Sequence, residues 1–326
     1  MPATAIGVDT VSALSRQYVM PEIVDAVYDS NVLFHRLTKA NKKVIQGGTH
    51  IEVPIQYARP NNAQAYSGYD VLNTAPFDVI RNAVFDWKQY ATLVTVDGLT
   101  LIKTDNPEAI AQLIKTQFEL AKADFVHVLG TDLYRGNASD PDRLTGLSQA
   151  VAASGTYGGL NHSNTFWQSK IDNSTALGSI SLDTLQTIFS QLTIGRESPT
   201  LMIGRRPVYN RLWNLIYGTS GANVQINVPA GGADELLATA GFTNILFNNV
   251  PLVMDSQVDA STGTPTNGKL YMLNENWFEL AVSPRADMAM EDFVTPHDQD
   301  AMTAKILFAG ELICKNPRLQ GAFTAL

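Results

Sequence analysis

NPEAIAQLIKTQFELAKADFVHVLG, residues 106–130, is the stretch on which the fold turns. Asn106 offers a side-chain oxygen as an N-cap, and Pro107 sits in the first helical turn, where its missing N–H leaves nothing unsatisfied. Ile110, Leu113, Ile114, Phe118, Ala121, Phe125 and Val128 recur at helical spacing as one apolar stripe. Lys115, Glu119 and Lys122 fall on another face, and Gly130 is the expected stop. At 1.5 Å per residue the helix would run about 36 Å, the length of an organising strut.

Upstream, residues 47–97 read as a long two-stranded excursion. Gly47-Gly48 breaks the chain, and His50-Ile51-Glu52-Val53-Pro54-Ile55-Gln56-Tyr57 then alternates polar and apolar with period two. Pro54 cannot donate to a ladder and places that strand at an edge. Arg59 to Pro76 is rich in Pro, Asn, Gly and Ala without periodicity, and a second β-leaning run carries Val84, Trp87, Leu93, Val94 and Val96. A long hairpin with so few apolar residues near its tip is expected to lie on a neighbour. Before it, residues 1–46 include a short amphipathic stretch from Pro21 with Ile23, Val24, Val27, Val32, Leu33 and Leu37, then the basic cluster Arg36, Lys39, Lys42 and Lys43. Such an arm holds too little apolar surface to fold alone.

Downstream, residues 131–180 are loop-rich, with turn signals at Asp140-Pro141, Gly155 and Gly158-Gly159. Residues 181–275 read as an α/β unit. It has a helix around Leu182–Leu192, a buried strand over Thr200–Gly204, a helix from Pro207 through Tyr217, and strands at Ile245–Phe247 and Val250–Met254. Residues 276–326 hold returning strands marked by Phe278, Leu280 and Val282 and by Ile306, Phe308 and Ile313. An acidic stretch, Asp287, Glu291, Asp292, Asp298 and Asp300, is expected to meet the basic arm of a neighbouring copy.

The totals bound the function. The chain has 326 residues, 45% hydrophobic and 17% charged, enough for a large core. Its one cysteine, Cys314, excludes an intrachain disulfide and any multi-cysteine zinc site. The start, Met1-Pro2-Ala3-Thr4-Ala5, lacks a basic patch leading into an apolar run, and no stretch approaches the roughly 18 apolar residues of a membrane span. Cytosolic synthesis without membrane contact is the expectation. A net charge of −8 argues against dedicated nucleic-acid binding but suits a wall that merely encloses DNA.

The order of parts (arm, two-stranded loop, long helix, α/β unit, returning strands) resembles the Hong Kong 97-type fold of tailed-phage major capsid proteins, an α+β fold that encapsulins share. Local strings are similar too. These are Leu144-Thr145-Gly146-Leu147, Tyr157-Gly158-Gly159-Leu160-Asn161 and Thr165-Phe166-Trp167 after the helix, and Phe247-Asn248-Asn249-Val250-Pro251-Leu252-Val253 and Lys269-Leu270-Tyr271-Met272-Leu273-Asn274 later. The resemblance implies an N-terminal arm over 1–46, an extended loop over 47–97 and a peripheral domain over 98–180 with its spine helix at 106–130. It further implies an axial domain over 181–275 and peripheral return strands over 276–326.

By the same resemblance the chain forms hexamers and pentamers of an icosahedral head around double-stranded DNA, located in the virion after assembly in host cytoplasm. A portal is an implied partner, with room for a decoration protein. Forty-six residues ahead of the loop are too few for a built-in scaffolding segment, so a separate scaffolding protein is expected, or the front has been removed. No lysine stands between Val44 and Trp87, so the loop tip cannot supply the lysine that welds neighbours in some members; Lys88 lies near its base. An uncrosslinked shell follows.

Catalytic signatures are missing: no Gly-x-Ser-x-Gly, Walker-type loop, His-Glu-x-x-His or dinucleotide glycine fingerprint occurs. The expectation is no enzyme, no cofactor and no metal. His50 with Glu52, Asp124 with His127, and His297 with Asp298 and Asp300 are the nearest approaches to ligand sets, and each reads better as polar side chains meeting water or a neighbouring side chain. Cys314 reads as a small buried hydrophobe. Gly218–Gly232 lacks the Lys-Ser/Thr of a phosphate loop, and is expected to be a mobile axial-domain loop. Arg36, Lys39, Lys42 and Lys43 are the candidates for weak contact with DNA phosphates. Two other readings stay open: an encapsulin-type compartment shell, and a soluble α/β enzyme without a recognisable motif.

Overall fold

The computed structural model describes residues 31–60, 63–72, 76, 78–99, 107–136, 140–217, 244–258, 268–297 and 300–324. Helix α1 (Val32–Ala40) begins at Asn31, whose Oδ1 accepts the Leu33 and Phe34 N–H groups at 3.0 and 3.1 Å. Val32, Leu33, Phe34 and Leu37 vanish into the main core, each contributing about 1.5–3 kcal/mol of burial. The arm's described part therefore packs on its own chain. Its earlier residues, with Ile23, Val24 and Val27, lie outside the described residues.

Strand β1 (Lys42–Val44) leads to the hairpin β2 (His50–Gln56) and β3 (Ile80–Asp86), which pair antiparallel from His50↔Asp86 to Gln56↔Ile80. The second run is two strands rather than one. The chain turns at Trp87, and β4 (Lys88–Asp97) leaves the hairpin to pair with β14 (Ala301–Cys314) over Lys88↔Gly310 to Asp97↔Ala301. Val84 and Val94 both looked β-like, but nothing local distinguishes a hairpin partner from a partner some two hundred residues away.

Helix α2 (Pro107–Arg135) is longer than its sequence punctuation suggests. Its expected cap, Asn106, lies outside the described residues. Ile114, Phe118, Ala121 and Phe125 are buried, and the stripe continues through Leu129 and Leu133 instead of Val128. Gly130 does not stop the helix. A Cβ there would come within 3.3 Å of Gln257 and 3.4 Å of Asn31, so this glycine permits a close approach. The stop is Gly136, in the left-handed region at φ +69°.

After α3 (Leu147–Ala150) come the short strands β5 (Thr156–Tyr157), β6 (Leu160–Asn161) and β7 (Lys170–Asp172). Helix α4 (Leu182–Leu192) starts in a capping box in which Ser181 accepts the Thr184 N–H at 3.1 Å. Then follow β8 (Leu201–Gly204), α5 (Arg206–Tyr217), β9 (Asn244–Phe247), β10 (Val250–Met254), β11 (Leu270–Leu273), β12 (Phe278–Val282), β13 (Ala289–Met290), β14 and β15 (Gly321–Phe323). Asn248 and Asn249 both take positive φ, 48° and 63°, and close the β9–β10 hairpin as a primed turn.

Two sheets organise the molecule. One runs β1-β12-β14-β13 with β4 added on β14; the other runs β7-β15-β11-β8-β10-β9. Two strands of the second, β7 and β15, come from outside residues 181–275. The N-terminal half of α2 covers β4 and β14 through Phe118, Val94, Val96, Ala304 and Ile306. Its C-terminal half, Phe125, Leu129 and Leu133, enters the main core, while α4 and α5 flank the second sheet through Leu185, Leu192, Val208 and Leu212.

Candidate functional site

The hairpin is held at its root by glycines. In the Tyr157-Gly158-Gly159-Leu160 turn, both glycines take positive φ, +56° and +75°. A Cβ on Gly158 would lie 2.8 Å from the Phe85 ring and 3.1 Å from Ala83, so β3 rests directly on bare backbone. The Gly158 carbonyl accepts the Val84 N–H at 3.0 Å, and the Phe85 and Tyr157 rings meet edge-on at 5.1 Å. Ile51, Val53, Ala83 and Phe85 are buried there. Further out, Tyr57 meets Phe166 at 5.6 Å, and Arg81 stacks over Tyr57 at 4.9 Å.

Beyond Tyr57 the described residues of the loop stand in solvent. Tyr66, Tyr69, Val71 and Leu72 are all exposed, Val71 at 92% and Tyr69 entirely. Asp70 turns its carboxylate onto the Ser67 N–H at 2.8 Å, which rounds the tip. Four large apolar side chains within seven residues exceed what scattered surface hydrophobes require.

A polar clamp fixes the loop that follows α2. Asp132, 1% exposed, accepts the Tyr90 hydroxyl at 2.8 Å and the Arg143 guanidinium at 2.7 Å. Tyr90 in turn accepts the Leu144 N–H at 2.8 Å; burial, reinforced by Asp132, pushes its phenol well above the usual range. Lys88 donates to the Pro141 carbonyl at 2.7 Å. Glu311 on β14 is fully buried, and one of its oxygens accepts the Thr145 and Leu312 N–H groups at 2.8 and 3.0 Å. The other oxygen accepts no hydrogen bond among the described residues. Burial raises this carboxyl to about 8 against those N–H groups and the Lys88 charge.

A second buried pair sits under α1. Tyr134 donates to Asp255 at 2.7 Å, and burial raises the Asp255 carboxyl although the Gln257 N–H, 2.8 Å away, also stabilises its charge. Tyr134→Phe should destabilise the protein by about 1–3 kcal/mol, because Asp255 then loses a buried donor. Urea unfolding checks this; an unchanged midpoint with an unchanged slope would contradict it.

The basic cluster is largely neutralised within the chain. Arg36 donates to Glu275 at 2.6 Å, Lys42 to Asp287 at 2.5 Å, and Lys43 lies 3.9 Å from Glu279. Lys39, exposed in the last turn of α1, is the most open of the four with Lys43. Asp287 thus meets the basic arm of its own chain, where a neighbour's was expected. His50 pairs with Asp86 at 2.7 Å and Glu52 accepts from Asn82 at 3.2 Å, both as exposed cross-strand contacts. Asp124 and His127 stand in solvent on α2.

Asp298 and the Gly218–Gly232 loop lie outside the described residues, and no cluster of three or more His, Cys, Asp or Glu forms among the described ones. Cys314 is buried, and burial pushes its thiol far up. No described helix is long and apolar enough to cross a membrane. Sequence reasoning missed Glu311, Asp132 and Asp255. Glu311 alone had a local signal, a carboxylate inside the apolar run Ile306–Cys314.

Against known proteins, no family model and no curated protein matches the chain. Solved structures do. A chain of the cyanophage A-1(L) capsid asymmetric unit aligns over 90% of this chain and 92% of its own, at 15% identity and a TM-score of 0.60. The capsid of Myoviridae phage XM1 aligns over 89% and 91%, at 10% identity and 0.52. The SrpI encapsulin of Synechococcus elongatus PCC 7942 aligns over 89% and 87%, at 10% identity and 0.50. The likeness spans nearly the whole of each chain, and the fold is the α+β Hong Kong 97-type fold of capsids and encapsulins.

Proposed function

We propose that this chain is the major capsid protein of a tailed double-stranded DNA bacteriophage, associating as hexamers and pentamers into an icosahedral head. The observation that carries the reading is the end-to-end structural likeness to phage capsid chains. The work of such a subunit is mechanical. Each hairpin reaches over an adjacent copy, α2 serves as the spine, residues 181–275 form the axial domain around the symmetry axes, and the peripheral segments 98–180 and 276–326 meet at three-fold positions. Many modest contacts, repeated by symmetry, stabilise the shell without a covalent weld.

The exposed apolar tip at Tyr66–Leu72 supports this, since an isolated molecule leaves it uncovered. The partners in this reading are other copies, a separate scaffolding protein, a portal and a decoration protein. Packaged DNA is touched weakly and without sequence preference, Lys39 and Lys43 being the better placed of the four arm cations. The reading assigns the protein no catalytic activity, with assembly in host cytoplasm and residence in the virion.

Expressed protein should form closed particles of uniform size, visible by negative-stain imaging and sedimenting far ahead of monomer. A single small species under all assembly conditions, co-expression with the scaffolding protein included, would overturn the reading. The likeness to an encapsulin favours one alternative, a compartment shell around a protein cargo. Particles purified from the native source separate the two: packaged double-stranded DNA supports the head, and packaged protein supports the compartment.

A further inference from the structure

Among the described residues, β4 is the longest strand with an open edge. It pairs with β14 on one side and with no described strand on the other. Gly310 of β14 aligns with both Val282 of β12 and Lys88 of β4, so those two strands lie on opposite sides of β14. The Lys305 and Ala309 carbonyls accept the Glu291 and Ser283 N–H groups on the side away from β4, while Gly98 donates to the Asp300 carbonyl at 2.9 Å on the β4 side. In an antiparallel ladder that alternation decides which amides face where. The even-numbered residues of β4 bond to β14, and Gln89, Ala91, Leu93 and Thr95 turn their N–H and C=O groups outward. These outward groups meet no hydrogen-bond partner among the described residues. Leu93 adds an apolar side chain, 58% exposed.

An open row of amides recruits any extended chain, and soluble proteins guard against it with short edges, charges, prolines or a covering loop. The other edges of this molecule carry such guards. Strand β1 has three residues, two of them lysines, and β7, β9 and β13 run two to four residues. Strand β2 contains Pro54, and the Gly158 carbonyl takes the Val84 N–H of β3. Strand β4 has none of these: residues 89–96 hold no charge, no proline and no glycine. Left open, a segment of that composition aggregates.

We infer that β4 pairs edge to edge and antiparallel with β4 of a second copy of this chain, about a two-fold axis centred on Leu93. The strand's own sequence selects that partner. Its charged residues stand at its two ends with opposite signs, Lys88 and Asp97. An antiparallel copy sets each lysine end beside the other copy's aspartate end, whereas a parallel copy sets like beside like. Centred on Leu93, the pairing places Leu93 against Leu93 of the second copy and Ala91 against its Thr95, so the exposed leucine is covered by its own image. The sheet of β4 and β14 then runs on through the axis into the other molecule. Such a contact is isologous, unlike the head-to-tail contacts that close rings. In the shell reading it joins one ring of copies to the next, and the contact itself does not depend on that reading.

Cysteine variants test the register. At Leu93 the paired Cα atoms stand about 5.5 Å apart, inside the roughly 4.4–6.8 Å that a disulfide spans. Gentle oxidation of full-length Leu93→Cys under assembly conditions should therefore give a linked dimer, while wild type, whose Cys314 is buried, gives none. Ala91→Cys should not link to itself, because its image lies about 14 Å along the strand, but should link to Thr95→Cys when the two preparations are mixed and assembled. Dimers in that pattern support the pairing, in particles or in free subunits. Folded protein, assembled or not, in which Leu93→Cys links no better than Ala91→Cys overturns it. Failure of the shell reading shows separately, as folded wild type that never assembles.

As a second arm, Leu93→Glu and Leu93→Lys each set like charges face to face across the axis. Each should cut the yield of associated protein at least tenfold, and a one-to-one mixture of the two should restore it. Undiminished yield from either variant alone, or no recovery in the mixture while both keep the wild-type circular dichroism spectrum, counts against the pairing.

Discussion

Gly146→Ala should destabilise the protein by about 3 kcal/mol or more, enough to leave much of the expressed chain insoluble. A Cβ at that position would fall 2.4 Å from the Gly136 nitrogen, 2.5 Å from the Asp132 carbonyl oxygen and 2.7 Å from the Gly136 Cα. All three are backbone atoms, so no side chain can swing aside. The helix end cannot retreat either, because Asp132 is hooked by both Tyr90 and Arg143. Gly178→Ala is the control, since nothing lies within 4 Å of its added methyl and its backbone is not left-handed. Urea unfolding of the two variants against wild type measures the difference. A Gly146→Ala midpoint within error of wild type would refute the close backbone approach of Gly146 to Gly136 and Asp132.

The second large effect belongs to Glu311. Its carboxyl holds a proton up to about pH 8 in the folded chain, against an ordinary value of 4.5. As pH rises through that window the unfolded chain releases the proton while the folded chain keeps it, so stability falls. Below 4.5 both states are protonated and nothing is lost; above 8 both are ionised and the loss is complete. The full loss is on the order of a few kcal/mol. Glu311→Gln mimics the protonated form and cannot ionise. Its melting temperature should therefore match wild type near pH 5 and exceed it by several degrees above pH 8. Parallel melting curves for both proteins across the window would show that Glu311 does not titrate there.

Much of the architecture was legible because it is written in local periodicity. The α2 stripe and the alternation of β2 each follow from side chains within a few positions of one another. What stayed hidden is non-local. Gly130 and Gly136 look alike in sequence, and only the approach of Asn31 and Gln257 to one and the left-handed backbone of the other assigns their roles. Arg36 looks like a free cation until Glu275, far along the chain, is folded against it. The hairpin tip was the opposite case. Its lack of a local core was readable, and its isolation in the structure follows from that lack.

The pairing pattern also governs when the folded chain can be completed. Lys42 aligns with Leu280, Lys88 with Gly310, and Lys170 with Gly321. Both sheets are thus stitched from early and late parts of the polypeptide, the arrangement that makes folding slow. While the ribosome is still producing β12 and β14, β1 and β4 have no strand to join. Completion of the two sheets therefore waits until translation has delivered β14 and β15, a timing set by topology alone.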